Sequence, residues 1–119
     1  MKMKTLVDAV PALRKLSAQD MALSTLHRLH ILIGKATPHL QFYDEKRNAI
    51  LKKYCVEDGG RLVPLPDKKS ALERDIGALL DVDIDDIEPI TVSGEDVKLS
   101  YADYVALGGI IDFEKEDNA

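Results

Sequence analysis

Residues 24–55 read STLHRLHILIGKATPHLQFYDEKRNAILKKYC, and the reading of this stretch decides the fold. Apolar or bulky side chains recur at Leu26, Leu29, Ile33, Ala36, Leu40, Tyr43, Ile50 and Tyr54. The steps alternate between three and four residues, the seam of a long coiled-coil-like helix. Arg47 is the one polar residue on a seam position. Ser24 is placed to cap the start. Such a helix is about 48 Å long at 1.5 Å per residue. That exceeds the width of a compact domain of this size, so part of it should project. Leu29, Ile31, Leu32 and Ile33 cover more than one face, so the first half should be surrounded by other elements. The second half carries Lys46, Arg47, Lys52 and Lys53 and reads as solvated outside its stripe. Pro38 lacks the N–H that would bond the Gly34 carbonyl, which predicts a bend over 34–38.

Upstream, Leu6, Val10, Leu13 and Leu16 predict a helix over 6–17. Pro11 leaves its start open. With Asp8 as cap, the proline falls in the first turn, where an N–H has no helical partner. With Thr5 as cap, it lies deeper and kinks the helix. Downstream, Glu57-Asp58-Gly59-Gly60 reads as a helix stop and turn, and Leu62, Val63 and Leu65 as a short extended link before Pro66. Asp67 is a good cap for a helix over 68–80, whose stripe is Leu72, Ile76, Leu79 and Leu80. The short link predicts that this helix packs antiparallel on the 40–55 half of the long one.

From Asp81 the period changes to two. Val82 and Ile84 alternate with Asp81, Asp83 and Asp85, the pattern of a half-buried strand. Ile90 and Val92, then Val97 and Leu99, flank Ser93-Gly94-Glu95-Asp96 and predict a hairpin. Ser100 and Asp103 form a capping pattern for a short helix over 101–107, ended by Gly108-Gly109. Ile110, Ile111 and Phe113 add a last apolar anchor before a polar tail over 114–119.

The expected fold is therefore α+β and mainly α, in one domain of 119 residues. A long helical hairpin of about 24–80 should be braced by a small α/β cap built from 1–22 and 81–113. Its core must be largely aliphatic, because the chain has no Trp and only six aromatic residues. No stretch approaches the roughly 18 consecutive apolar residues of a membrane span. The N-terminus lacks the apolar core of a signal peptide. The single cysteine, Cys55, rules out an intrachain disulfide and a Cys-rich zinc site. A cytoplasmic location in a bacterial host, or packaging into a virion, is the expectation.

The net charge of −5 is unevenly spread: residues 1–72 hold 13 Lys and Arg against 7 Asp and Glu, residues 73–119 hold 3 against 14. The simplest consequence is that the acidic third folds back on the basic helices. Lys46, Arg47, Lys52 and Lys53 interleave with Phe42, Tyr43 and Tyr54, but the acidic pI of 5.1 opposes a nucleic-acid footprint. Asp81-x-Asp83-x-Asp85 opens like a calcium loop. Its sixth position is Asp86, not Gly, and its twelfth is Val92, not Glu. A weak cation or a basic partner remains open to the 81–88 run. His27 and His30 lie one turn apart without a third ligand, and His39 is more than two turns away from His30. Cys55 has no nucleophile signature, and no P-loop or nucleophile elbow occurs. The expectation is a non-enzymatic protein with no catalytic, cofactor or metal residues.

The order of features resembles a domain-of-unknown-function family of small phage and prophage proteins. The likeness rests on residues 6–16, on Phe42 to Tyr54 with Glu45, Lys46, Arg47, Asn48 and Leu51, and on Leu79 to Ile84, Ile90, Leu99 to Asp103, Ala106 and Leu107. It implies an origin near tail or structural genes and defines no functional residue. Pro38 and Gly108-Gly109 depart from that pattern. Together these readings predict an accessory or assembly factor of phage morphogenesis. It would act on a protein partner, with self-association through the hairpin possible. The interaction candidates are Leu40, Tyr43, Arg47, Ile50 and Tyr54 on the seam, and Asp83, Asp85 and Asp86 on the acidic run. The alternative is a host-directed inhibitor, an anti-defence or nucleic-acid-mimic protein, acting through the acidic 81–117 surface.

Overall fold

A computed structural model describes residues 1–94 and 97–114. The chain is mainly helical, with two small two-stranded sheets. In order it forms α1 (Met3–Ser17), α2 (Leu23–Tyr54), β1 (Cys55–Asp58), β2 (Arg61–Pro64), α3 (Lys69–Leu80), β3 (Ile90–Ser93), α4 (Tyr101–Leu107) and β4 (Ile111–Glu114).

The long helix is one element of 32 residues, starting one residue before the expected position. Ala22, not Ser24, is its N-cap, without a side-chain bond. Helix α2 runs through Gly34 and Pro38 uninterrupted. Next to the proline, the Thr37 hydroxyl donates to the Ile33 carbonyl at 2.8 Å. The molecule measures 60 × 29 × 24 Å with a radius of gyration of 17.5 Å, against about 13–14 Å for a compact chain of this length. The projection follows from α2 outrunning its neighbours.

The core lies at the base, around α1. Met3, Leu6, Ala9, Ala12, Leu13 and Leu16 are all buried. They meet Leu29, Leu32 and Ala36 of α2, and Ile84, Ile87, Val92, Leu107, Ile110 and Ile111 from the C-terminal third. Burying each large aliphatic side chain contributes about 1.5–3 kcal/mol. Helix α1 begins at Met3, earlier than expected, and neither Asp8 nor Thr5 caps it. Pro11 sits inside the helix on the exposed side, where the carbonyl it leaves unbonded is not sealed in the core.

Helix α3 packs on α2, and the Leu65 N–H donates to the Tyr54 carbonyl at 2.9 Å where the chain returns. The expected Asp67 cap is not used; Lys68 is the N-cap, and its side chain makes no capping bond. The link before α3 is a β-hairpin. Strands β1 and β2 pair antiparallel, with Val56 opposite Val63 and Glu57 opposite Leu62. Gly59 and Gly60 hold φ of 60° and 81°, the left-handed conformations of a tight two-residue hairpin loop.

The expected hairpin of 90–92 with 97–99 is corrected. Strand β3 pairs parallel with β4, in the register Ile90 to Ile111 and Val92 to Phe113, with α4 as the crossover. Residues 97–99 lie outside any strand, and Glu95 and Asp96 of the expected turn fall outside the described residues. Both strands put apolar side chains into the base, so the period of two is met with a different partner. The expected strand at 82–84 is also corrected. It is an extended segment with one bridge, Lys2 to Asp83. The Met3 N–H donates to the Val82 carbonyl and the Ile84 N–H to the Met1 carbonyl, each at 2.8 Å. Helix α4 has the expected bounds, and the Ser100 hydroxyl accepts from the Asp103 N–H at 3.1 Å. The polar tail beyond Glu114 lies outside the described residues.

Candidate interaction surfaces

Two surfaces remain once the core is assigned. One is the arm, made of the second half of α2, the β1–β2 hairpin and α3. Two helices have too few neighbours to enclose their stripes. Tyr54 is the one buried residue of α2 beyond Ala36, and Leu79 the one buried residue of α3. Leu40, Tyr43 and Ile50 on α2, with Leu72 and Ile76 on α3, are half-buried. Phe42 is 43% exposed, and at the tip Val56 and Leu62 are 48% and 54% exposed.

The seam candidates divide accordingly. Leu40 and Tyr43 lean on the base core, Ile50 is half-buried on the arm, and Arg47 is exposed. Arg47 takes no ion pair among the described residues. The carboxylate that stitches α3 to α2 is Asp75. It accepts from the Tyr54 hydroxyl at 2.6 Å and from Arg74 Nε at 3.3 Å. The Tyr54 bond, and secondly Arg74, hold the Asp75 carboxyl below its ordinary pKa. Lys46 lies over the Phe42 ring at 5.7 Å, and Lys53 over Tyr54 at 5.2 Å. These two cations thus cover neighbouring rings of their own helix.

The second surface is a groove between α1 and the middle of α2. One stretch, about 220 Å³, is lined by Val10, Leu13 and Arg14 with Ile33, Ala36 and Leu40. The next, about 250 Å³, adds Val7, Pro11, Tyr43 and Asp44. Its floor is aliphatic and its polar groups stand on the rim. That arrangement suits an apolar protein segment better than a polar small molecule.

The acidic run is largely engaged by the chain itself. Lys2 Nζ meets Asp83 at 2.8 Å and Asp81 at 3.6 Å. His39 Nε2 lies 2.6 Å from Asp86 Oδ1. Lys15 Nζ meets Asp103 at 3.0 Å. Hydrogen bonds from Lys2, His39 and Lys15 lower the pKa of Asp83, Asp86 and Asp103 respectively. Asp85 is exposed and takes no ion pair among the described residues. Among the described residues, Asp81, Asp83, Asp86 and Asp103 of the acidic third thus meet Lys2, His39 and Lys15 from the first two thirds of the chain. His27 and His30 are exposed, and Cys55 is buried. No group of three His, Cys, Asp or Glu gathers among the described residues. No helix in them is long and apolar enough to cross a membrane.

No protein-family model, curated protein or solved structure matches the chain.

One tie went unread in the sequence. The Gln19 side chain donates to the Lys98 carbonyl at 2.8 Å and accepts from the Lys98 N–H at 2.7 Å. It pins the loop before α4 to the α1–α2 connector. Nothing local marks a lone glutamine for such a contact across 79 residues.

Proposed function

We propose that the chain is a non-enzymatic interaction protein, an accessory or assembly factor, that presents its helical arm to a protein partner. The arm carries this reading. It extends from a well-packed base, yet encloses little of its own apolar surface, and its tip exposes Val56 and Leu62. An exposed apolar projection is stable in function when another protein covers it. Phage morphogenesis as the setting rests on the resemblance of the residue pattern to small phage proteins. The inhibitor reading has less support, because Asp83 and Asp86 already have partners within the chain, Lys2 and His39.

The test is capture by the purified protein from cells producing the phage, compared with Leu62→Asp and Ile50→Asp variants. The expected result is one structural protein of the particle retained by the wild type and lost by both variants. Equal retention by the variants removes the arm from the mechanism. A captured host nuclease or defence enzyme, released by Asp83→Lys with Asp86→Lys, favours the inhibitor.

A further inference from the structure

We propose that two copies of this chain pair through their α1 helices, antiparallel about Pro11, with each copy's α1 ridge seated against the other's α1–α2 groove. The inference rests on the reading that the chain works by binding, but concerns the base, not the arm.

The argument is one of self-complementarity. Asp8, Pro11 and Arg14 are all exposed on α1. Asp8 and Arg14 take no ion pair among the described residues, whereas Lys15 on the same helix is paired with Asp103. Pro11 lies three residues from each. An antiparallel pair centred on Pro11 therefore sets Asp8 opposite the partner's Arg14 twice, by symmetry. Such a contact uses one patch on both copies, the most common form of closed assembly. Between the charges, the patch is apolar: Val7, Val10 and Pro11 stand beside Leu40 and Tyr43 across the groove. Asp44 stands at the rim, also without an ion pair among the described residues. A foreign helix has no reason to carry both charges at this spacing in reverse order; a second copy carries them necessarily. The contact spans about four helical turns and so falls at the small end of specific interfaces, which makes a weak, concentration-dependent pairing the expected behaviour. Both arms stay free.

Sedimentation velocity into the high-micromolar range tests this. A monomer–dimer equilibrium is expected for the wild type. Arg14→Asp should raise the dissociation constant about tenfold by replacing two attractions with two repulsions. Asp8→Arg combined with Arg14→Asp should restore the wild-type value. Under mild oxidation Pro11→Cys should form a disulfide-linked dimer, since a bridge needs Cα atoms within about 7 Å. Lys4→Cys on the same helix should not, because antiparallel pairing carries the two copies of residue 4 about 20 Å apart. A monomer throughout the range, a charge swap that fails to restore pairing, or equal cross-linking by Lys4→Cys overturns the proposal. Loss of pairing with partner capture intact leaves the arm's role standing; loss of capture by arm variants with pairing intact does the reverse.

Discussion

The Tyr54 hydroxyl donates to Asp75 Oδ2 over 2.6 Å, joining the last residue of α2 to the middle of α3. Asp75 is thereby held below its ordinary pKa, first by this bond and then by Arg74. A carboxyl whose folded pKa is depressed adds stability that is complete above its unfolded value, about 3.9. That stability is lost as pH falls through the folded value. Tyr54→Phe removes the main cause and leaves Arg74 in place. The urea midpoint of the variant should lie below the wild type near neutral pH, and the gap should close below about pH 4. Asp83, Asp86 and Asp103 titrate in the same window in both proteins and cancel in the comparison. A gap that persists unchanged in acid would mean the hydroxyl acts by packing and not by bonding the carboxylate.

Gly109 allows α4 to lie against α1. A Cβ there would sit 2.5 Å from Thr5 Cγ2. Threonine is β-branched, so its methyl has few positions to move to in a helix. Gly109→Ala should therefore cost about 1–3 kcal/mol. Thr5→Ala in the same protein should recover most of it, because the clashing methyl is gone. Thermal unfolding of the single and double variants decides this; additive losses would locate the strain elsewhere.

These contacts mark what could be read in advance. The long helix was legible because its apolar residues keep their three–four spacing over many turns. The α4 helix was legible because Ser100 and Asp103 form a local cap. Strand β3 was visible as alternation, but alternation does not name a partner. Ser93-Gly94 offered a nearby turn, whereas the chain pairs β3 with β4 beyond an intervening helix. Gly59-Gly60 supports both a helix stop and a hairpin loop. The second meaning prevails because Val56 and Val63 face each other across it. Of the candidate surfaces, Leu40 and Tyr43 were found from the seam. The α1 face was missed because Pro11 left the helix register open.

Base and arm should differ in stability. Leu6 is fully buried in the main core, while Ile50 lies half-buried on the arm. Leu6→Ala should cost about 2–5 kcal/mol and lower the whole unfolding transition. Ile50→Ala should cost less and act locally. In hydrogen exchange it should speed the amides of α3 and of the last turns of α2, while those of α1 keep their protection. Uniform acceleration across α1 and α3 would show that the molecule opens as one unit.

The hairpin loop offers the sharpest local test on the arm. Gly59 and Gly60 both have positive φ, and no atom crowds a Cβ at either position. Any loss on substitution there is therefore conformational, not steric. An L-residue with a Cβ in this region costs about 1–2 kcal/mol, and Asn is tolerated better than Ala because its side chain bonds locally. Gly60→Ala should destabilise the β1–β2 ribbon by about 1 kcal/mol, and Gly60→Asn by less. The ribbon sits at the far end of the arm, so amide exchange of Val56 and Val63 should rise in Gly60→Ala while the base stays unchanged. If Ala and Asn behave alike at residue 60, backbone handedness is not what holds this turn, and the exposed tip would owe its shape to packing on α2 and α3.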